Sequence, residues 1–147
     1  MEVLVFTLDS ARYAVPLERL LEVAPRILTT PLAGAPAFVE GIFSYRARPC
    51  VAVSLRRRFG RPPRRASLDE HLVVVRGKAR AIGLVVDRVE GHRTLDPAAI
   101  EDSPFPTPEV RGVVSLADGI VLVHDVDALL TDEDETAIGH ALEAAKV

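Results

Sequence analysis

Tryptophan is absent from this chain of 147 residues, cysteine occurs once, and aromatic residues make up only 5%. The lone Cys50 excludes an internal disulfide and a cysteine-rich zinc site. With aromatics scarce and valine and leucine abundant, the core must be aliphatic. No apolar run approaches the roughly 20 residues of a membrane-spanning helix, so direct membrane insertion is not expected. The start, Met1-Glu2-Val3-Leu4-Val5-Phe6, lacks the basic region and small-residue cleavage site of a secretory signal. The expected address is the cytoplasm. A net charge of −3 argues against a dedicated nucleic-acid binder.

Catalytic signatures are missing as well. His71, His92, His124 and His140 include no pair at the His-x-x-x-His spacing of a metal site. There is no Gly-x-Ser-x-Gly elbow, no phosphate-binding glycine loop and no dinucleotide fingerprint. Cys50 lies inside an apolar run and reads as a packing thiol. His124 beside Asp125 at a strand end is the one place for a base or metal ligand, and a structural histidine is the simpler reading. The carboxylates at Asp69-Glu70 and at 132–135 stand among polar neighbours, as loop and cap residues do. No catalytic residue, metal or cofactor is expected.

What is present is a succession of short strands. Val3 to Leu8 is β-branched and apolar and stops at Asp9-Ser10; Tyr13 to Pro16 follows as a second strand, with its proline at an edge or end. Leu17, Leu20, Leu21 and Val23, with Glu18, Arg19 and Glu22 between them, fit a short amphipathic turn. Phe38 to Phe43 and Cys50 to Leu55 make a hairpin. Arg56 to Arg65 then holds six arginines and two prolines and should be largely exposed. His71 to Val75 and Ala81 to Val86 form another hairpin, and Asp96 to Ile100 opens one helical turn. Val110 to Leu116 and Ile120 to His124 flank Asp118-Gly119, a hairpin signal. From Ala128 onward the pattern favours a helix, capped by Thr131 or Asp132 with acidic residues in its first turn.

These signals come in the same order twice. Leu17-Glu18-Arg19-Leu20 answers Val86-Asp87-Arg88-Val89, and Gly41-Ile42-Phe43 answers Gly112-Val113-Val114, about 70 residues on. A unit of that length buries too little surface to stand alone, so two should pack together with a shared core. The fold expected is mainly β: two similar small five-stranded barrels, spanning about 1–66 and 67–147, with a C-terminal α-helix. A single irregular β-sandwich is the alternative.

Several stretches resemble the CheW-like chemotaxis adaptor family. They are Phe6-Thr7-Leu8-Asp9 with Tyr13-Ala14-Val15-Pro16-Leu17, Ala35 to Ile42 leading to Arg46, Gly83 to Val89, and Arg111-Gly112-Val113-Val114 with Ile120 to Asp125. The ordered set covers the chain through about residue 130. The resemblance implies a single domain of two SH3-like barrels. It also implies a non-catalytic scaffold that links the cytoplasmic tips of chemoreceptors to the regulatory domain of a CheA-type histidine kinase, and that could also meet other CheW-like proteins. By motif position it implies partner contacts at Leu20, Glu22, Gly41 and Arg46.

Three positions depart from the family pattern. Ala47 stands where glycine is expected after Arg46, Val51 where proline is expected, and Ser54 where aspartate is expected. An altered turn and a lost carboxylate there would point to a divergent modulator that holds receptors but binds kinase weakly or not at all. A more distant alternative is an anion- or RNA-binding module that uses Arg56 to Arg65, although only Phe59 is there to stack a base.

Overall fold

The computed structural model describes residues 1–65, 67–104 and 107–145. Eleven strands are present among them: β1 (Glu2–Leu8), β2 (Ala11–Pro16), β3 (Leu20–Pro25), β4 (Val39–Tyr45), β5 (Arg48–Ser54), β6 (His71–Arg76), β7 (Ala81–Val86), β8 (Arg88–Thr94), β9 (Ile100–Glu101), β10 (Val110–Leu116) and β11 (Gly119–His124). The four-residue helix α1 (Leu55–Arg58) follows β5, and α2 (Asp132–Ala144) closes the chain. The two sheets run β8-β1-β2-β11-β10-β9 and β3-β6-β7-β5-β4. The first is five strands plus the two-residue β9.

Both sheets have one plan. Each begins with a strand antiparallel to the next, continues through a hairpin, joins a parallel neighbour and ends in a second hairpin. The strands of each barrel are nevertheless drawn from both repeats. Hairpin β1–β2 of the first repeat sits between β8 and β11 of the second, and hairpin β6–β7 of the second sits between β3 and β5 of the first. A division near residue 66 therefore separates the repeats and cuts both barrels. Residues 20–86 supply one sheet, and the chain crosses between sheets at 17–19 and at Asp87. Those crossings are the repeated motif seen in the sequence. Leu20 to Pro25 continues as strand β3, so the amphipathic turn ends at Arg19.

The exchange creates three apolar layers. Val3, Val5, Ala14, Val114, Val121 and Val123 fill one barrel. Phe43, Cys50, Ala52, Leu72, Val74 and Val85 fill the other. Between them lies a larger seam where Leu4, Phe6, Leu8 and Val15 meet Val51, Val53, Val73, Val75, Ile82 and Leu84. Alternate residues of β1 face a barrel interior and the seam, so this strand is apolar on both faces.

Two glycines hold equivalent close approaches. A Cβ on Gly41 would stand 2.3 Å from the carbonyl oxygen of Thr30, which exchanges backbone hydrogen bonds with Ile42. A Cβ on Gly112 would stand 2.9 Å from that of Glu101 in β9. Gly41 is buried and acts through its backbone.

Candidate partner-binding surfaces

Leu20 and Glu22 lie on β3 and Gly41 and Arg46 on or beside β4, at opposite ends of the sheet order. Arg26, just past β3, spans the gap by ion pairs to Glu70 and, at 2.8 Å, to Glu40 of β4. Leu20 is half-buried against the seam, whereas Glu22 is exposed. Around them in the chain Leu21, Val23, Ile27 and Leu28 are exposed, an apolar strip of sequence in which Leu28 is 98% exposed. Register makes β8 the twin of β3, since Leu20 pairs with Val75 as Val89 pairs with Phe6. At the twins of Leu21 and Val23, β8 carries Glu90 and His92. The strip is thus a property of one barrel. The sequence held this signal, as apolar residues of β3 lacking the polar alternation of its twin.

Arg46 sits exposed at the tip of the β4–β5 hairpin, its guanidinium 5.2 Å from the Tyr45 ring centroid. Arg46 and Ala47 both have positive φ, 51° and 62°, and Tyr45 pairs with Arg48 across them. This is the two-residue turn that favours glycine at its second position. Ala47 therefore keeps the turn at a cost instead of changing it. Replacing it, Ala47→Gly, should raise stability by about 1 kcal/mol after the greater freedom of glycine in the unfolded chain is counted. A rise in the urea midpoint at unchanged slope is the expected result.

Ser54 likewise keeps a function expected to be lost. Its hydroxyl accepts the Arg57 N–H at 3.3 Å and caps α1, as the Asp125 carboxylate at the twin position accepts the Asp127 N–H at 3.0 Å.

The arginine run is largely exposed, as its composition suggests: Arg57, Arg64 and Arg65 are exposed, while Arg56, Arg58 and Arg61 are half-buried and tied into the fold. Arg56 donates to Asp9 at 2.7 Å, to Asp87 at 2.8 Å and to the carbonyl of Pro62 at 2.6 Å. Arg61 donates to the Tyr13 hydroxyl at 2.9 Å and to Asp9 at 3.2 Å. Arg58 donates to the Leu129 carbonyl at 2.8 Å. A hydrogen bond from Arg56 holds the Asp9 carboxyl below its ordinary range. The accepting carboxylates lie 47 and 31 positions away in sequence, which is why local composition did not reveal them.

His124 is 1% exposed, and neither ring nitrogen has a partner among the described residues. Burial, with Arg58 adding a smaller effect, pushes its pKa down to about 4. The neutral ring packs between Tyr13, 4.9 Å away, and Phe59, 5.0 Å away. Cys50 is buried with its thiol pushed up to about 11 by desolvation. No group of three or more metal-ligating side chains converges among the described residues. No described helix is long and apolar enough to cross a membrane.

The fold is a pair of twin barrels that share one apolar seam. A family model described as a CheW-like domain matches residues 2–134, and the chain belongs to that family. It is 26% identical over 140 residues to the chemotaxis protein CheW of Klebsiella aerogenes, covering 90% of this chain and 83% of the relative. It is 23% identical over 141 residues to that of Rhizobium meliloti, covering 92% and 91%. The crystal structure of the scaffolding protein TtCheW from Thermoanaerobacter tengcongensis superposes with a TM-score of 0.83 at 26% identity, over 90% of this chain and 94% of the other. The protein is a non-catalytic chemotaxis scaffold of the adaptor kind.

Proposed function

We propose that the chain works in the cytoplasm, coupling chemoreceptor tips to a CheA-type histidine kinase. The observation that carries the receptor half is the strip of Leu21, Val23, Ile27 and Leu28 beside Leu20 and Glu22, absent from the twin strand. Exposed aliphatic side chains beside a charged rim suit the apolar face of a helical partner. The kinase half is supported by the region around Arg46. The turn keeps its form with Ala47 in it, and Ser54 caps α1 in place of the family's aspartate. Both favour an ordinary adaptor over a modulator that has lost its kinase. Arg56, Arg58 and Arg61 are already engaged within the fold, which leaves only the exposed Arg57, Arg64 and Arg65 of the run for an anion- or RNA-binding role.

Calorimetric titrations with a receptor tip fragment and, separately, with the kinase regulatory domain test this reading. Binding to both is expected. The double change Leu21→Asp with Val23→Asp should weaken the receptor about tenfold or more, the scale of lost apolar anchors, and leave the kinase unaffected. Receptor binding alone would shift the reading to the modulator, and binding to neither would end it.

A further inference from the structure

The twin barrels differ where their terminal helices part company. Hairpin β4–β5 pairs Val39 with Val53 and Ile42 with Val51, whereas β10–β11 pairs Val110 with His124 and Val113 with Leu122. The equivalence therefore runs at a shift of 71 positions between these hairpins. It continues through the caps Ser54 and Asp125 to Phe59 and Leu130. Beyond that point the chains diverge. Gly60, at φ 70°, turns away into Arg61-Pro62-Pro63, whereas Thr131 caps α2 through a reciprocal bond pair with Asp134.

On the barrel of β3 to β7, α2 buries Ile138 completely, in one cluster with Val39, Val51, Val53, Ile82 and Leu130. The parallel register equates Ile82, beside Val51, with Tyr13, beside Leu122. The matching set on the other barrel is therefore Val110, Leu122, His124, Tyr13 and Phe59. Those five residues, together with Thr107 and Glu109, line a cavity of about 280 Å³. Helix α2 adds Ile138 to the cluster that holds the first set, and the second set is left open as a cavity among the described residues. Where the filled site has Val53, this one has the buried His124.

We propose that the cavity receives an aliphatic side chain from an amphipathic helix of a partner protein, in the pose Ile138 takes on the twin barrel. The helix it fits has the pattern of α2: an isoleucine or leucine, a small residue beside it, and leucine four positions on. Gly139 and Ala141 let α2 approach closely, coming near Arg80 and Gly34, while Leu142 packs on the same core. The pocket lies by β10 and β11, at the far end of the sheet order from the β8 edge, and the apolar strip belongs to the other sheet. The inference therefore stands apart from the receptor reading and does not fall with it.

A hydrocarbon-stapled peptide of residues 131–145 is the probe, titrated into the isotope-labelled full-length protein and followed by NMR. Saturable shifts centred on Val110, Leu122 and His124 are expected, and a peptide carrying Ile138→Asp should produce none. Val110→Trp fills the cavity from its own wall and should weaken the peptide about tenfold, the scale of one buried anchor. Leu122→Arg should do the same by introducing a charge, with the spectrum of the remaining barrel reporting that the fold is intact. Shifts centred on β4 and β5 would mean that the peptide only displaces α2 and would overturn the proposal. So would the absence of saturation at millimolar peptide.

Discussion

Residues 1–66 and 67–147, produced separately, should each be unfolded, and should fold together when mixed. The four pairings β1–β8, β2–β11, β3–β6 and β5–β7 all cross that cut. Each fragment keeps only hairpins, which are marginal in water without further strands. It also loses half of the seam, whose apolar side chains come from both repeats. The gain on mixing comes from restoring the four interfaces and the seam at once, so complementation should be cooperative. Circular dichroism of the separate and mixed fragments reads it directly. A cooperative melt of either fragment alone would show that a repeat suffices, and would contradict the exchange of hairpins.

Acid should weaken the protein by about 3 kcal/mol between pH 6.5 and pH 4, through His124 alone. In the unfolded chain the imidazole takes a proton near its ordinary value of 6.5; in the folded chain it resists protonation until about 4. The unfolded state therefore binds more protons across this window. Stability is complete above it and declines as the pH falls through it. The carboxylates of Glu2, Asp9, Asp118 and Asp127 are all held below their ordinary values by hydrogen-bonded partners, so their contributions are lost at lower pH. Chemical denaturation at a series of pH values should show the slope, and His124→Leu should flatten it. A slope that survives His124→Leu would place the acid sensitivity elsewhere. The same substitution removes two buried nitrogens that have no partner among the described residues, so stability at neutral pH should hold or rise.

Most of the strands were legible because they are buried on both faces and so read as unbroken valine and leucine runs. The repeat was legible too, since turn residues and glycines recur in order. Helix α2 announced itself through Thr131 and its acidic first turn, which the structure turns into a capping box with Asp134. The pairing partners were not legible. Parallel contacts such as Val51 with Ile82 and Val121 with Arg12 join segments far apart and leave no local period. Strand β8 was hidden by its polarity, since Arg-Val-Glu-Gly-His-Arg-Thr lies at a sheet edge with little to bury. The exposure of the arginine run was legible from its composition, but its ties were not, since Asp9 and Asp87 reach Arg56 only in the folded chain. Of the four residues placed by resemblance, Arg46 and Glu22 are exposed, Leu20 is half-buried and Gly41 serves the backbone. The exposed strip around Leu21 is not legible, because Leu17 to Val23 fits an amphipathic turn as well as it fits a strand.

The two chain crossings also bear on mechanics. A hinge between domains needs a linker whose few residues absorb a change of angle. Here both crossings are pinned: Asp87 donates its N–H to the Thr7 carbonyl at 3.1 Å, and Arg19, at the other crossing, is tied to Asp127 and to the carbonyl of Arg76. Turning one barrel against the other would shear the seam and break these ties together. A scaffold built in this way holds whatever it binds at a fixed spacing and angle, so it transmits position to its partners and leaves any change of shape to them.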